Sequence, residues 1–345
     1  MKIGVCGHFG GKETFLDGQT VKTKMVYDAL GSHFGQDNLK RVDTYKIKKR
    51  LIPVLFGTVR LFSSCRACVM LPAQNGIKIF APLFSFLKKV FKKKIYYAVI
   101  GGWLPSLLEG KDKLIASLRG FDGIFVETET MRSALEEMGF ANVTVLPNFK
   151  RLNMVEESAI EREFSMPYRL CTFSRVSREK GIETAVNAVK AANEAIGVTA
   201  FSLDIYGQVD GGYTEAFESL RAQFPEYITY GGMVPFEKST EVLGGYYCLL
   251  FPTFYSGEGF AGTLIDAFAS ALPVIASDWK YNPEIVDDEV GVIFRAGDEQ
   301  DLCRALLAVY NGEFDLAAMR KNCYKRAQHY SFERAVEILA QNIEA

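Results

Sequence analysis

The chain has 345 residues, about twice the usual length of one domain, and 48% of them are hydrophobic and 23% charged. This composition excludes a disordered, collagen-like or coiled-coil protein. No apolar run reaches the roughly 18 residues of a spanning helix, and the start MKIGVCG lacks the features of a signal peptide. Seven scattered cysteines predict reduced thiols, so we expect a cytoplasmic protein.

The net charge of −1 hides an uneven distribution of charge. Residues 40–94 contain 14 Lys or Arg and one acidic residue, a local balance of +13, whereas the remainder carries −14. Folding does not require such a separation of charge. The sequence therefore predicts a surface that meets an anionic partner.

The first half alternates short β-rich runs with helical patterns. A strand is expected at 2–7, followed by the glycine-bearing loop HFGGKETFLDGQT and a helix over about 20–30. This alternation predicts a doubly wound parallel sheet. Further strands are expected at 67–71, 95–100, 123–126 and 143–146, with a helix between the last two.

A second series of the same kind follows a polar stretch between 147 and 168. We expect a first Rossmann-like domain over 1–160, a second over 161–330, and a closing helix over 331–345 that packs back on the first domain. Two such α/β domains predict a central cleft at their strand carboxyl ends. The strands are expected at 170–174, 202–207, 228–231, 247–251, 274–277 and 291–294, and the helices at 181–195, 214–223, 263–271 and 299–310.

The segment GEGFAGTLIDAFASALPVIASD, residues 257–278, is the most informative. Glu258 stands on a glycine-flanked loop, and Asp266 lies eight residues later in the expected helix. Free amides at such a helix start favour a diphosphate, and the two carboxylates could bond sugar hydroxyls. A surface loop with two ordinary acidic residues is the alternative. The residues expected to contact a bound donor along this loop are Gly259, Phe260, Ala261, Gly262 and Thr263.

This segment resembles the signature of retaining glycosyltransferases of family 4, which have the two-domain GT-B fold. Their motif has two glutamates separated by seven residues, then a small-residue helix and LPVIA. Here Glu258 and LPVIASD match, and Asp266 replaces the second glutamate. The resemblance implies that Glu258 bonds the donor sugar and Asp266 the ribose.

A second match lies at CTFSRVSREKG, residues 171–181, which resembles the family's "GRL…KG" segment. The resemblance implies that Arg175 and Lys180 hold the donor diphosphate. Cations already in place lower the activation barrier for breaking the bond to the sugar, because negative charge grows on the leaving diphosphate. No Asp-x-Asp element is present, so we expect no metal and no cofactor, with the UDP- or GDP-linked sugar as substrate.

Two glycines are weaker candidates for donor contacts. Gly18 lies where the first strand meets the first helix, where the family commonly has a glycine pair near the donor phosphates and the acceptor. Gly232 lies in ITYGGMVPFEK, which resembles a strand and loop near the nucleobase. Ordinary loop and strand-end roles explain both positions equally well.

Residues 84–93 show a helical pattern with two faces. Phe84, Leu87 and Phe91 share one face, which is typical of a helix at a membrane surface. A cationic helix that is simply exposed to solvent is the alternative. Nucleic acid is the competing anionic partner, but no nucleic-acid-binding motif accompanies these cations. The cations expected to meet an anionic membrane or a lipid-linked acceptor are Lys88, Lys89, Lys92 and Lys93.

The resemblance therefore implies a retaining glycosyltransferase of the hexosyltransferase type. We expect it to move a sugar from a nucleotide donor to a lipid-linked glycan acceptor, in surface polysaccharide assembly at the inner face of the membrane. A nucleotide-sugar epimerase or hydrolase on the same fold is one alternative. A non-catalytic nucleotide-sugar-binding subunit is the other.

Overall fold

The structure is a computed structural model that describes residues 1–11, 13 and 18–345. The described chain divides into two compact units: unit 1 comprises Met1–Lys150 with Tyr330–Ala345, and unit 2 comprises Arg151–His329. Part of the glycine-bearing loop expected after the first strand, residues 12 and 14–17, lies outside the described residues.

Unit 1 is a six-stranded parallel sheet with helices on its faces, as the alternating pattern predicted. The strand order is β2-β1-β3-β4-β5-β6. Strands such as IGVCG are buried along their whole length because helices cover both faces of the sheet. The strands are β1 Ile3–Gly7, β2 Leu39–Asp43, β3 Ala67–Leu71, β4 Lys94–Ala98, β5 Gly123–Val126 and β6 Val143–Val145; the helices are α1 Gly18–Phe34, α2 Leu51–Ser64, α3 Gln74–Phe91, α4 Leu104–Leu108, α5 Asp112–Arg119 and α6 Glu129–Glu137.

Unit 2 repeats this plan with strand order β12-β11-β10-β7-β8-β9. All its strand pairs are parallel. The strands are β7 Tyr168–Phe173, β8 Phe201–Tyr206, β9 Ile228–Gly232, β10 Cys248–Phe251, β11 Val274–Ser277 and β12 Gly291–Phe294; the helices are α7 Ile182–Ile196, α8 Thr214–Arg221, α9 Ser239–Leu243, α10 Gly262–Ala269, α11 Asn282–Ile285, α12 Glu299–Tyr310 and α13 Leu316–Gln328. The prediction of two Rossmann-like doubly wound α/β domains is confirmed, and the cleft expected between them stays a prediction.

The last helix, α14 Phe332–Glu344, belongs to unit 1. Its side chains Phe332, Leu339 and Ile343 are buried in the same core as those of β1 and α1. The units divide after Lys150, ten residues before the expected boundary at 160. The reason is local, since the backbone N–H of Val155 donates to the carbonyl oxygen of Ala269 at 3.0 Å and joins this segment to unit 2.

All seven cysteines are free, and six of them are buried. Burial raises the pKa of the Cys6 and Cys248 thiols to about 12, so these thiols stay protonated at neutral pH. None of the helices in the described residues is both long enough and apolar enough to cross a bilayer.

Candidate active site in unit 2

The loops that follow β7 and β10 meet at the carboxyl edge of the unit 2 sheet. The two strands pair in parallel, so they end at the same edge. After β7, a 3-10 turn at Arg178–Lys180 leads to Gly181, which has a φ of 72°. A Cβ atom on Gly181 would lie 2.1 Å from the carbonyl oxygen of Pro252, the residue after β10. Glycine at this position therefore allows the two loops to approach closely.

Lys180 and Glu258 form an ion pair where these loops meet. Nζ of Lys180 lies 2.5 Å from Oε2 of Glu258, and the two side chains are only 16% and 9% exposed. The hydroxyl of Thr253 donates to the same carboxylate oxygen at 2.7 Å. Lys180 also lies over the rings of Phe251 and Tyr255, 5.8 and 5.2 Å from their centroids. The carboxylate is therefore held in one orientation and shielded from solvent.

Lys280 provides a second positive charge near this carboxylate. Its ammonium group donates to the carbonyl oxygen of Ser256, two residues before Glu258. Burial lowers the pKa of Lys280, and the negative charge of Glu258 opposes that shift. The next residue back, Trp279, donates from its indole N–H to the carbonyl oxygen of Tyr255 at 2.8 Å. The loop after β11 thus fixes the loop that carries Glu258.

The loop that carries Glu258 leads into α10, whose N-terminus has no side-chain cap at Ala261. Uncapped amides at a helix start can bind an anion. The Thr263 hydroxyl donates to the carbonyl oxygen of Phe173 at 2.8 Å, which fixes the helix start at the end of β7. Asp266 is half-buried on the side of α10 that carries Gly262 and Thr263, one turn further along. The two other predicted loop residues, Gly259 and Phe260, are buried.

Arg175 lies at the same carboxyl edge, on the loop directly after β7. Its side chain is exposed. Gly207, which follows the neighbouring strand β8, packs against this loop: a Cβ there would lie 1.8 Å from the carbonyl oxygen of Ser174. The backbone N–H of Gly207 donates to the carbonyl oxygen of Gly232 at 2.8 Å. Gly207 thus lies between the loop that carries Arg175 and the end of β9, which carries Gly232.

Gly18 begins α1, and a Cβ atom on it would meet no atom of the described residues within 4 Å. Its expected contact with a donor or an acceptor stays a prediction.

The expected membrane helix is α3, and the face assigned to the membrane was wrong. Phe84 and Leu87 are buried in unit 1, because the apolar face of α3 packs inward. The ring of Phe91 lies 6.3 Å from that of Phe62 on α2. Lys88 donates to the carboxylate of Asp122 at 2.7 Å, so its charge is paired within unit 1. The other predicted cations, Lys89, Lys92 and Lys93, lie at or just beyond the end of this helix.

Two residues of the site were missed by the sequence interpretation, Thr253 and Lys280. A polar residue two positions after a fully buried strand was the available signal for Thr253, because such positions lie at the carboxyl edge. Lys280 follows β11 by three residues and carried no comparable signal. Among the described residues, no group of three or more His, Cys, Asp or Glu side chains could hold a metal ion.

The part of the chain that carries this site is similar to a known protein family. A family model described as "Glycosyl transferases group 1" matches residues 167–312, which include Arg175, Lys180, Glu258 and Asp266. Over these residues the chain is similar to that family. The matched residues lie within unit 2 and include the loops after β7 and β10.

Two curated glycosyltransferases are similar to this chain over part of their length. The amylovoran biosynthesis glycosyltransferase AmsK of Erwinia amylovora is 26% identical over 183 residues, covering 50% of this chain and 44% of that protein. The GtfA subunit of the UDP-N-acetylglucosamine–peptide N-acetylglucosaminyltransferase of Streptococcus parasanguinis is 25% identical over 230 residues, covering 63% and 44%. The chain thus spans less than half the length of each relative.

Solved structures show the same fold. The crystal structure of Anabaena Alr3699/HepE in complex with UDP superposes with a TM-score of 0.77 at 13% identity and covers all of both chains. At this identity the likeness concerns the fold alone, which is the two-domain GT-B fold expected from the sequence.

Proposed function

We propose that this chain is a glycosyltransferase that moves a sugar from a nucleotide-sugar donor to a glycan acceptor. The observation that carries the proposal is the shielded Lys180–Glu258 pair, which lies ahead of the uncapped start of α10. The family match covers both residues. The activity is of the hexosyltransferase type, with the nucleotide sugar as the substrate and no further cofactor.

In this proposal, Lys180 exchanges its partner when the donor binds. Without a donor, its ammonium group neutralises Glu258. With a donor, Lys180 and Arg175 bind the diphosphate, and the amides at the start of α10 donate to the same oxygens. Glu258 is then released to accept hydrogen bonds from the sugar hydroxyls, and Thr253 keeps its carboxylate in place. Asp266 binds the ribose, and the loop at Gly232 contacts the base.

Charge development explains why cations are needed here. When the bond to the sugar breaks, the leaving nucleoside diphosphate gains negative charge, and fixed cations in a shielded site stabilise it. We further propose the retaining course of family 4, with attack on the face that the leaving group vacates and with its phosphate accepting the acceptor proton. Proton NMR of the product should then show the same anomeric configuration as the donor.

The proposal extends to the nucleotide of the donor and to the kind of acceptor. UDP is the first nucleotide to test, because HepE was crystallised with UDP and the GtfA relative is named for a UDP-sugar. We propose a lipid-linked glycan acceptor used in polysaccharide assembly, reached at the inner face of a membrane, on the strength of the cationic stretch 40–94. The named relatives differ in role, amylovoran biosynthesis in one and a peptide acceptor in the other.

The test uses the purified chain with radiolabelled UDP-glucose, UDP-N-acetylglucosamine and GDP-mannose, each with and without membrane lipid extract. Label transfer to lipid that depends on one donor is expected. Donor turnover without acceptor would instead indicate an epimerase or hydrolase. Nucleotide-sugar binding in a thermal-shift assay without turnover under any condition would indicate a binding subunit. Transfer that persists in EDTA is expected, and loss of transfer would contradict metal independence.

A further inference from the structure

Helices α2 and α3 present apolar side chains to solvent on the outer face of unit 1. Ile52 and Phe56 of α2 are 79% and 74% exposed, and Phe86 and Val90 of α3 are 62% and 56% exposed. Each pair is spaced by four residues, so its members lie on one side of their helix. Large exposed apolar side chains gathered on one surface mark an interaction site.

The two helices lie side by side, so their outer faces form one surface. Phe62 of α2 packs against Phe84 and Phe91 of α3, with centroid distances of 5.0 and 6.3 Å. Their inner faces are buried, which leaves the apolar residues described above pointing away from the core. Lys78 and Lys89 are exposed on α3 among these apolar side chains. The surface is therefore both apolar and cationic.

At the C-terminal ends of α2 and α3 lies a cavity of about 580 Å³ surrounded by cations. The register of the sheet brings them together. Arg66 donates its backbone N–H to the carbonyl oxygen of Lys2 at 2.8 Å, and Ala67 is paired with Lys94. The lining residues are Lys2, Ser63, Ser64, Cys65, Arg66, Lys92, Lys93 and Lys94.

The cations of this cavity are not neutralised within the part of the chain that the structure describes. None of the five forms an ion pair there, and no acidic residue lines the cavity. Burial raises the pKa of the Cys65 thiol, and the charges of Lys40, Lys2 and Lys93 oppose that shift, so these charges act at one point. Like charges held together attract an anion such as a phosphate, which would relieve their repulsion.

We propose that α2, α3 and this cavity form a docking surface for a membrane of anionic phospholipids. The cavity takes a lipid headgroup phosphate, and Ile52, Phe56, Phe86 and Val90 enter the boundary between headgroups and acyl chains. A membrane fits this surface because it offers negative charge and an apolar layer together. Such a membrane would present the lipid-linked acceptor to the site. This link to the acceptor rests on the proposed function, whereas the docking surface itself does not.

Flotation of the intact chain with vesicles tests the proposal. We expect binding to phosphatidylcholine vesicles that contain about 30% phosphatidylglycerol, weakening with salt, and no binding to pure phosphatidylcholine. The double variant Lys92→Gln/Lys93→Gln should lower the partition coefficient about 30-fold. Phe56→Ser/Phe86→Ser should lower it about tenfold or more.

Matched controls come from exposed residues of unit 2. Lys190→Gln/Lys325→Gln and Met166→Ser/Val198→Ser remove the same kinds of side chain elsewhere and should leave vesicle binding unchanged. UDP binding by thermal shift should be equal in all variants, which shows that they are folded. If neither UDP nor GDP binds to the unaltered chain, the proposed function fails while the vesicle result still stands.

Several results would overturn the docking surface. One is that the chain binds both kinds of vesicle equally or binds neither, and another is that the partition coefficient stays unchanged in both test variants. Binding of inorganic phosphate without binding of vesicles, or tighter binding of a DNA oligonucleotide than of anionic vesicles, would overturn it as well.

Discussion

The carboxylate of Glu258 accepts from two donors on different loops, Lys180 after β7 and Thr253 after β10, and Lys180 reaches it over 78 positions of sequence. Removing either charge of the ion pair leaves the other buried without its partner. Glu258→Gln and Lys180→Met should each reduce sugar transfer by at least about 100-fold, because each removes a group that acts on the donor. Initial rates with the best donor check this.

The control for that experiment lies on α7. Lys190→Met and Glu194→Gln make the same chemical changes at exposed positions and should leave the rate within about twofold, as expected for surface substitutions. Full activity in either test variant would remove Lys180 or Glu258 from the site.

Thr253 is expected to position Glu258 without contacting the donor. Thr253→Val keeps the shape of the side chain but removes the hydroxyl, so transfer should fall about tenfold. Thr253→Ser keeps the hydroxyl and should restore most of the rate. A serine variant as slow as the valine variant would show that packing, not the hydrogen bond, is what matters.

Gly207 should tolerate no side chain. Its φ is 138°, and a Cβ would lie 1.8 Å from the carbonyl oxygen of Ser174. Gly207→Ala should lower the free energy of unfolding by more than about 3 kcal/mol, since strain and steric overlap combine. Gly197→Ala, also at positive φ but with open space around it, should cost only about 1 kcal/mol. Urea unfolding measures both, and equal losses would contradict the steric argument.

Asp204 should make the stability of unit 2 sensitive to acid. Burial raises the pKa of Asp204, but hydrogen bonds from Thr229, Tyr246 and Arg169 outweigh burial and leave the pKa below its ordinary value. Two of these bonds measure 2.7 Å, from Tyr246, and 2.8 Å, from Arg169. A lowered folded-state pKa stabilises the protein above the unfolded pKa of about 3.9, and this contribution is lost as pH falls through the folded value.

Asp204→Asn should therefore reduce the free energy of unfolding by about 2 kcal/mol at pH 7. The difference from the unaltered chain should shrink below about pH 4. Urea midpoints at a series of pH values measure this, with Glu226→Gln at an exposed position as the control. A difference that stays constant across that range would mean that the charge of Asp204 is unimportant.

Periodicity and turn residues were enough to predict the two α/β units, because buried parallel strands are nearly continuous apolar runs. β2 was missed because LKRVD exposes Lys40 and Arg41 at the edge of the sheet and so does not read as a buried strand. The family resemblance implied that Lys180 and Glu258 act on the same donor, but it did not predict that they pair with each other. Lys280 approaches from a third loop that no local pattern connects to them.

The membrane face shows a different limit. An amphipathic pattern reveals that a helix has two faces, but not whether the apolar face packs against the protein core or lies at the surface. For α3 the stronger apolar face turned out to be the core face, and only the fold could show that Phe86 and Val90 are left outside.

The position of α14 has a consequence for biosynthesis. Residues 151–329, which form unit 2, are synthesised between the two parts of unit 1. Unit 1, although it starts the chain, must wait for Phe332, Leu339 and Ile343 to fill its core. During translation, the nascent N-terminal half therefore lacks part of its core until α14 has been synthesised.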